Sequence, residues 1–160
     1  MPVNQPRPAP ESSSEGRLYL REDELDRAVD LVFAATRRFW KAAEEALAEH
    51  QLGPAHYRAL AAIRREEGLA VSDLQTRLGV RKQSLARVLC EMEKAGLVRR
   101  EPGQADRRQR LLVLTESGRA AERAASAALR ARLAHVFRVA GADAVAGARA
   151  VLAALAAEKE

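Results

Sequence analysis

The pattern of apolar and polar positions is clearest between Ser72 and Thr115. Apolar residues recur there at intervals of three and four in two short segments, which predicts two amphipathic helices. Leu74 and Leu78 form the apolar face of the first helix. Its start is predicted at Ser72, because a serine three residues before Gln75 is the pattern of a capping box.

The second helix of this segment has two chemically different sides. The apolar side comprises Leu85, Val88, Leu89 and Met92, and the opposite side carries Gln83, Arg87 and Lys94. Gly79 lets the chain turn between the helices, and Gly96 is predicted to end the second one. Residues 97–101 and 109–114 have the pattern of two strands, separated by turn formers at 102–106. Two helices joined by a tight turn and followed by a β-hairpin predict a winged helix-turn-helix.

Long amphipathic helices are predicted on both sides of this unit. Residues 22–50 repeat with a helical period, and a helix of that length, about 40 Å, exceeds what a small winged helix needs. A second subunit is the simplest cover for its apolar face. Pro54 is expected in the first turn of the next helix, and the short apolar piece at 69–71 is expected to pair with the hairpin as a third strand.

The chain after the hairpin is also predicted to be helical. Thr115 is expected to cap a helix that runs to Ala140, and residues 141–143 separate it from a last helix with an apolar stripe. The fold class is therefore mainly α with a small β part. A winged helix-turn-helix at residues 53–115 lies between dimerisation helices at 22–50 and 116–158. Residues 1–20 are predicted to be a disordered tail and 21–160 a single domain.

Positive charge is concentrated in the winged-helix unit. Ten Lys and Arg residues against four acidic ones give residues 77–110 a net charge of +6, while the whole chain of 160 residues carries +5. A basic surface of this kind suits a polyanion such as nucleic acid. The alternative is a charged surface that only solvates the protein, but it does not explain why basic residues cluster at both the second helix and the hairpin tip.

The hairpin carries a more specific motif. The run from Asp106 to Thr115, DRRQRLLVLT, resembles the D-x-R-x-x-x-L-x-L-T wing signature of MarR-type (multiple antibiotic resistance regulator) transcription factors. Residues 83–87 and 93–98 are similar to the recognition helix of that family and its exit into the wing. The resemblance implies a homodimer on a pseudo-palindromic operator, with repression released by a small aromatic or phenolic ligand. Activation is also known in the family, and the sequence leaves both open.

The first turns of the second helix are predicted to enter a major groove of double-stranded DNA, where they would meet the base edges. The candidate contacts are Arg81, Lys82, Gln83, Ser84 and Arg87. Arg87 is the best candidate for a bidentate contact to guanine, and Gln83 is a candidate for adenine. Arg81 and Lys82 are equally well explained as phosphate contacts.

The hairpin tip is predicted to reach the adjacent minor groove through Arg107 and Arg108. The family resemblance assigns insertion to Arg108 and assigns to Asp106 the orientation of a wing arginine. An aspartate there would repel phosphate unless it were paired, which suits an internal salt bridge. A plain turn aspartate remains the alternative for Asp106.

An effector site is expected where the first long helix meets the helix after Pro54, because movement there changes the separation of two recognition helices. The candidate residues are aromatic side chains with two polar neighbours: Phe33, Arg37, Trp40, His56 and Tyr57. Apolar walls with a few polar groups are typical of small-molecule pockets. The alternative is that these aromatic residues simply form the core of the dimer.

Other classes of function find little support. The three histidines lack metal-ligand spacing, and no catalytic or phosphate-binding motif is present, so neither a metal, a cofactor nor an enzyme is expected. Cys90 is predicted to be a small half-buried residue, with a redox or metal-sensing thiol as the alternative. A single cysteine, no secretory signal and no long apolar run predict a cytoplasmic location. Two other functions stay open, a winged helix used for protein contact and a DNA-architectural protein that responds to no ligand.

Overall fold

The computed structural model describes residues 21–103 and 109–157, which are mostly helical. The elements in chain order are α1 (Glu22–Ala46), α2 (Pro54–Arg65), β1 (Leu69–Ala70), α3 (Val71–Leu78), α4 (Lys82–Lys94), β2 (Val98–Pro102), β3 (Arg110–Leu114), α5 (Glu116–Ala140) and α6 (Ala142–Ala157). The mainly α fold class and the winged helix-turn-helix order of elements are confirmed.

The three strands form one antiparallel sheet in the order β1-β3-β2. Leu69 lies opposite Leu112, and Val98 lies opposite Leu114, so β3 is the central strand. The predicted third strand therefore exists, and it comprises two residues rather than three. Val71 is already the first residue of α3.

The start of α3 differs from the predicted capping box at Ser72. The N-cap residue is Ala70, whose backbone is extended and which contributes no side-chain cap. Ser72 lies inside the first turn, and its hydroxyl donates to the carboxylate of Asp73 at 3.4 Å. The prediction was wrong because β1 pairs with β3 up to Ala70 and leads directly into the helix, so the N-cap lies two residues before the expected one.

The end of α4 sets the start of the hairpin. Gly96 has a positive φ of 69°, its N–H donates to the carbonyl of Glu93 at 3.0 Å, and the N–H of Leu97 donates to the carbonyl of Met92 at 2.9 Å. This pair of bonds is a Schellman motif, which satisfies two carbonyls that the helix end would otherwise leave unpaired. Because Leu97 belongs to that motif, β2 begins at Val98 and not at the predicted residue 97.

The predicted cap of α5 is confirmed. The hydroxyl of Thr115 accepts a hydrogen bond from the N–H of Gly118 at 3.0 Å and donates to the carbonyl of Gly96 at 2.7 Å. One side chain therefore begins α5 and ties it to the end of α4. The carboxylate of Glu116 lies in the first turn, where the positive end of the helix dipole favours it.

One hydrophobic core joins the C-terminal end of α1 and the turn after it to α2, α3, α4, the sheet and α5. Its largest fully buried side chains are Leu47, Leu60, Ile63, Leu74, Leu89, Met92, Leu97, Leu112 and Leu114. Burial of each such leucine or isoleucine contributes about 1.5–3 kcal/mol to the free energy of folding, relative to an exposed side chain. The core therefore fixes α4 from its inner side.

The N-terminal half of α1 is a separate unit, residues 21–34 within the described part. Its large apolar side chains are exposed, namely Leu25, Val29, Leu31, Val32 and Phe33. The helix itself ends at Ala46, and a turn of 3-10 helix at Ala48–His50 replaces the predicted continuation to residue 50.

Across the described ranges, no helix is long and apolar enough to cross a membrane. The predicted disordered tail, residues 1–20, lies outside the described residues.

Candidate nucleic-acid interface and effector cavity

The two faces of α4 have different environments. Leu85, Leu89 and Met92 are buried, and the helix contacts α2 and β2. The predicted contact residues are all exposed and lie at the start of the helix: Arg81, Lys82, Gln83, Ser84 and Arg87. Arg81 is the N-cap residue, and the first turn contains no acidic residue. The helix dipole and the side-chain charges there are therefore both positive.

Arg87 takes part in a chain of three charged or polar side chains. Its Nε donates to Oε1 of Glu91 at 2.8 Å, one helical turn further along α4. The other carboxylate oxygen, Oε2, lies 2.7 Å from Nε2 of His56 in α2. The hydrogen bonds from Arg87 and His56 hold the pKa of the Glu91 carboxyl below its ordinary value, so this carboxylate is ionised at neutral pH.

The hairpin places basic residues next to acidic partners. Arg99 is paired with Glu101 at 2.6 Å, and Nε of Arg100 with Glu93 at 2.7 Å. Such exposed pairs contribute little to stability, but they reduce the positive charge of β2. The predicted tip contacts Asp106, Arg107 and Arg108 lie outside the described residues.

Cys90 is exposed, which corrects the prediction of a half-buried residue. It follows the buried Leu89 directly, and one residue along a helix is a rotation of about 100°. That rotation carries the thiol off the core-facing side. Within the part of the chain that the structure describes, no group of three His, Cys, Asp or Glu side chains is placed to hold a metal ion.

A second feature is an open cavity of about 620 Å³ beside α2 and α5. Its lining residues are Phe39, Trp40, Tyr57, Ala61, Arg64, Arg65, Glu122, Ser126, Leu129, Arg130 and Leu133. The rings of Phe39 and Trp40 lie 5.2 Å apart at an edge-to-face angle, and those of Trp40 and Tyr57 lie 5.9 Å apart. The cavity thus combines an aromatic wall with several arginines.

Polar groups at the cavity wall form a connected network. The hydroxyl of Tyr57 lies 3.0 Å from that of Ser126, which donates to Oε1 of Glu122 at 2.6 Å. Arg64 donates to Oε2 of Glu122 at 2.7 Å. Glu122 is buried, with 3% of its surface exposed, so both carboxylate oxygens require these partners. The network joins α2 to α5.

The predicted effector residues are only partly brought together. Trp40 and Tyr57 line the cavity, whereas Phe33 and Arg37 are exposed and are not among its lining residues. His56 lies next to Tyr57 in sequence, but its two ring nitrogens contact Glu91 and the N–H of Gly53.

Several cavity residues were missed by sequence reasoning, namely Arg64, Glu122, Ser126 and Arg130. The sequence signal for them is the pair Glu122 and Ser126, two polar residues four apart on a face of α5 whose other members are small or apolar.

The comparisons with known proteins agree with this geometry. A model of the MarR family matches residues 50–109. The chain is 43% identical over 141 residues to the HTH-type transcriptional regulator PetP of Rhodobacter capsulatus, a match that covers 88% of this chain and 85% of PetP.

Two solved structures are similar over most of the chain. The transcriptional repressor CouR bound to a 23-mer DNA duplex gives a TM-score of 0.70 at 26% identity, covering 86% of this chain and 99% of that one. The crystal structure of MarR gives a TM-score of 0.66 at 25% identity, with 82% and 94% of the two chains covered.

Proposed function

The chain belongs to the MarR family and is a DNA-binding transcriptional regulator, not an enzyme, and we propose that it acts as a homodimeric repressor released from its operator by a small ligand. The observation that carries the DNA-binding part is α4, whose inner face is fixed by the core while its basic outer face is exposed. A similar protein, CouR, is a repressor with a structure on duplex DNA.

In this proposal α4 enters the major groove. Arg87 contacts a guanine, and Gln83 and Ser84 contact base edges or phosphate. Arg81 and Lys82 contact phosphates of the DNA backbone. At the wing tip, Arg107 and Arg108 reach the minor groove, and Asp106 orients one of them. The winged-helix region at 53–115 and the helices on either side act as one regulator domain.

Dimerisation is supported by exposed apolar side chains on the long helices. In α5 and α6 these are Leu133, Val136, Val139, Val151, Leu152 and Leu155. Many exposed apolar side chains on two consecutive helices favour an interaction site, and a symmetric homodimer is the commonest arrangement. Two recognition helices related by a two-fold axis would then read half-sites about 34–36 Å apart on a pseudo-palindromic operator.

The DNA-binding proposal is tested by affinity measurements on a duplex selected from random sequence by the wild-type protein. We expect Arg87→Ala to relax discrimination at one base pair by about 1–3 kcal/mol. Arg108→Ala should weaken binding to all sequences alike. Arg138→Ala, an exposed position in the last turn of α5, is the control for loss of one positive charge.

Salt dependence gives a second readout of the same complex. Log affinity should fall with log salt by ~0.9 for each phosphate that the protein neutralises. An affinity that does not change with salt, or Arg87→Ala and Arg108→Ala variants that bind like wild type, would contradict the proposed interface. Salt-dependent binding with no sequence preference would favour a DNA-architectural protein, and no DNA binding would favour a protein-contact module.

The effector is proposed to bind in the cavity beside Trp40 and Tyr57. The guanidinium of Arg130 and the aromatic side chains of Phe39, Trp40 and Tyr57 line the same cavity, which suits a small aromatic carboxylate or phenol. Of the other predicted residues, Arg37 and His56 do not line this cavity, and Phe33 belongs to the separate unit at residues 21–34.

Titration of aromatic acids and phenols can be followed by the fluorescence of Trp40, the only tryptophan. A ligand that releases DNA should change this emission. Arg130→Gln should weaken its binding about tenfold or more, the usual cost of losing a hydrogen bond to a charged group. Arg132→Gln, outside this cavity, should have little effect. A ligand that releases DNA without changing Trp40 emission, and acts equally on Arg130→Gln, would place the effector site elsewhere.

A further inference from the structure

The carboxylate of Glu91 connects the candidate base-reading arginine to a different helix. One oxygen accepts from Nε of Arg87 at 2.8 Å, and the other lies 2.7 Å from Nε2 of His56 in α2. Since the two oxygens serve two partners, neither contact has to break for the other to form. Arg87 is thus linked through Glu91 to a residue that lies 35 positions from Glu91 in the chain.

His56 is itself held in one orientation. Its Nδ1 accepts a hydrogen bond from the N–H of Gly53 at 3.1 Å, at the start of α2. A nitrogen that accepts carries no proton, so in a neutral ring the proton lies on Nε2 and points to Glu91. The ring is also only partly exposed, with 12% of its side chain accessible. The N–H of Gly53 and the burial of the ring together fix the Nε2–H of His56 as the donor to Glu91.

Glu91 is an unexpected residue type for this place. An acid one turn from Arg87, on a helix proposed to meet phosphates, opposes binding through like-charge repulsion. Its electrostatic effect is therefore unfavourable for affinity on any DNA sequence. Of its two partners, His56 lies in α2 and Arg87 is the one proposed to contact DNA, so a favourable effect on base recognition would act through Arg87.

The contact uses the part of Arg87 that base recognition does not need. With Nε held by Glu91, the two terminal nitrogens remain available, and they can donate side by side to O6 and N7 of guanine. The side chain of Arg87 is 82% exposed, so without this contact it would sample many rotamers and would lose more entropy on binding.

We propose that Glu91 is a positioning residue for Arg87, and that His56 fixes Glu91, so that base discrimination depends on a half-buried side chain of α2. This inference rests on the proposed DNA contact of Arg87. It predicts opposite effects of one substitution: Glu91→Gln should raise affinity for unrelated DNA, because a negative charge is lost, and should lower discrimination between bases, because Arg87 is no longer oriented.

Glu93→Gln is a matched control. Glu93 is in the same helix and also pairs with an arginine, Arg100 of β2, at 2.7 Å, but it does not contact Arg87. Both substitutions remove one negative charge from α4. Only the loss of Glu91 should change base discrimination.

The experiment measures affinities for the duplex selected by wild type, for the same duplex with each base pair changed in turn, and for unrelated DNA. Glu91→Gln should reduce discrimination at the base pair read by Arg87 by about fivefold or more, within what one bidentate contact supplies. His56→Ala should reduce it in the same direction by a smaller factor, and Glu93→Gln should leave it unchanged. In an Arg87→Ala background, Glu91→Gln should no longer alter it.

The outcomes separate the inference from the proposed function. Wild-type discrimination retained by Glu91→Gln, or an equal loss of affinity on every duplex, would overturn the positioning role alone. A wild-type protein without base preference, or an Arg87→Ala variant that discriminates like wild type, would overturn the proposed contact as well. Thermal melting of each free variant ensures that only folded protein is compared. If Glu91→Gln does not fold, the base discrimination of His56→Ala is the test. Unchanged discrimination in that variant would also overturn the inference.

Discussion

Gly118 occupies a position where the packing leaves no room for a side chain. It is buried in the first turn of α5. A Cβ added there would lie 2.9 Å from the carbonyl carbon of Leu97 and closer still to its oxygen. Both atoms belong to backbone that the end of α4 and the start of α5 hold in place. A small residue is therefore required for α5 to approach the junction between α4 and the hairpin.

We expect Gly118→Ala to destabilise the protein by about 1–3 kcal/mol, the usual cost of overpacking. Alanine is normally better than glycine in a helix by up to about 1 kcal/mol, so the clash must exceed that gain. Gly147→Ala in α6, where no atom of the same chain lies within 4 Å of the added Cβ, is the control and should stabilise the subunit slightly. Chemical denaturation of the two variants gives the comparison, and equal stabilisation by both would show that the approach of α5 to Leu97 is not tight.

The individual elements show which features local sequence can predict. The buried and exposed faces of α4 follow from a spacing of three and four residues, and the structure has Leu85, Leu89 and Met92 inside as predicted. Thr115 caps α5 because its hydroxyl can reach an N–H only three residues away. Both features are decided within one or two helical turns.

The predicted start of α3 was wrong because contacts between residues far apart in the chain determine where that helix begins. The Ser72 capping box has the right local spacing, but the pairing of Ala70 with Leu111 sets where the strand ends and α3 begins. Cys90 is a different case: one residue along α4 is a rotation of about 100° from the buried Leu89, so the helical period alone already indicates an exposed thiol.

The candidate sites follow the same division. That Arg87 is exposed near the start of α4 is predictable from the helical period. Its link through Glu91 to His56 is not, because no periodicity relates residues 35 positions apart. The cavity network is less predictable still, since Arg64 and Glu122 are 58 positions apart and meet only once α2 packs on α5.

At the scale of the whole molecule, the winged-helix region and α6 differ in how much of their apolar surface is buried. The winged-helix region buries its own leucines, whereas α6 contains no buried residue. Leu152 is 63% exposed and Leu155 is 55% exposed, on a helix that carries few charges. Burying apolar surface stabilises by roughly 25 cal/mol per Å², so an exposed stripe of this kind favours association. A second copy of the chain is the proposed cover.

We expect the wild-type protein to sediment at twice its chain mass of 17.5 kDa at micromolar concentration. Leu152→Lys/Leu155→Lys should shift it toward the monomer, because burying either unpaired ammonium at an interface costs several kcal/mol. Ala153→Lys puts the same charge on the same helix, but about 100° around it from Leu152 and outside the apolar stripe. That control should remain a dimer. A wild-type protein that sediments as a folded monomer, or a double variant that stays dimeric, would contradict an interface built on α6.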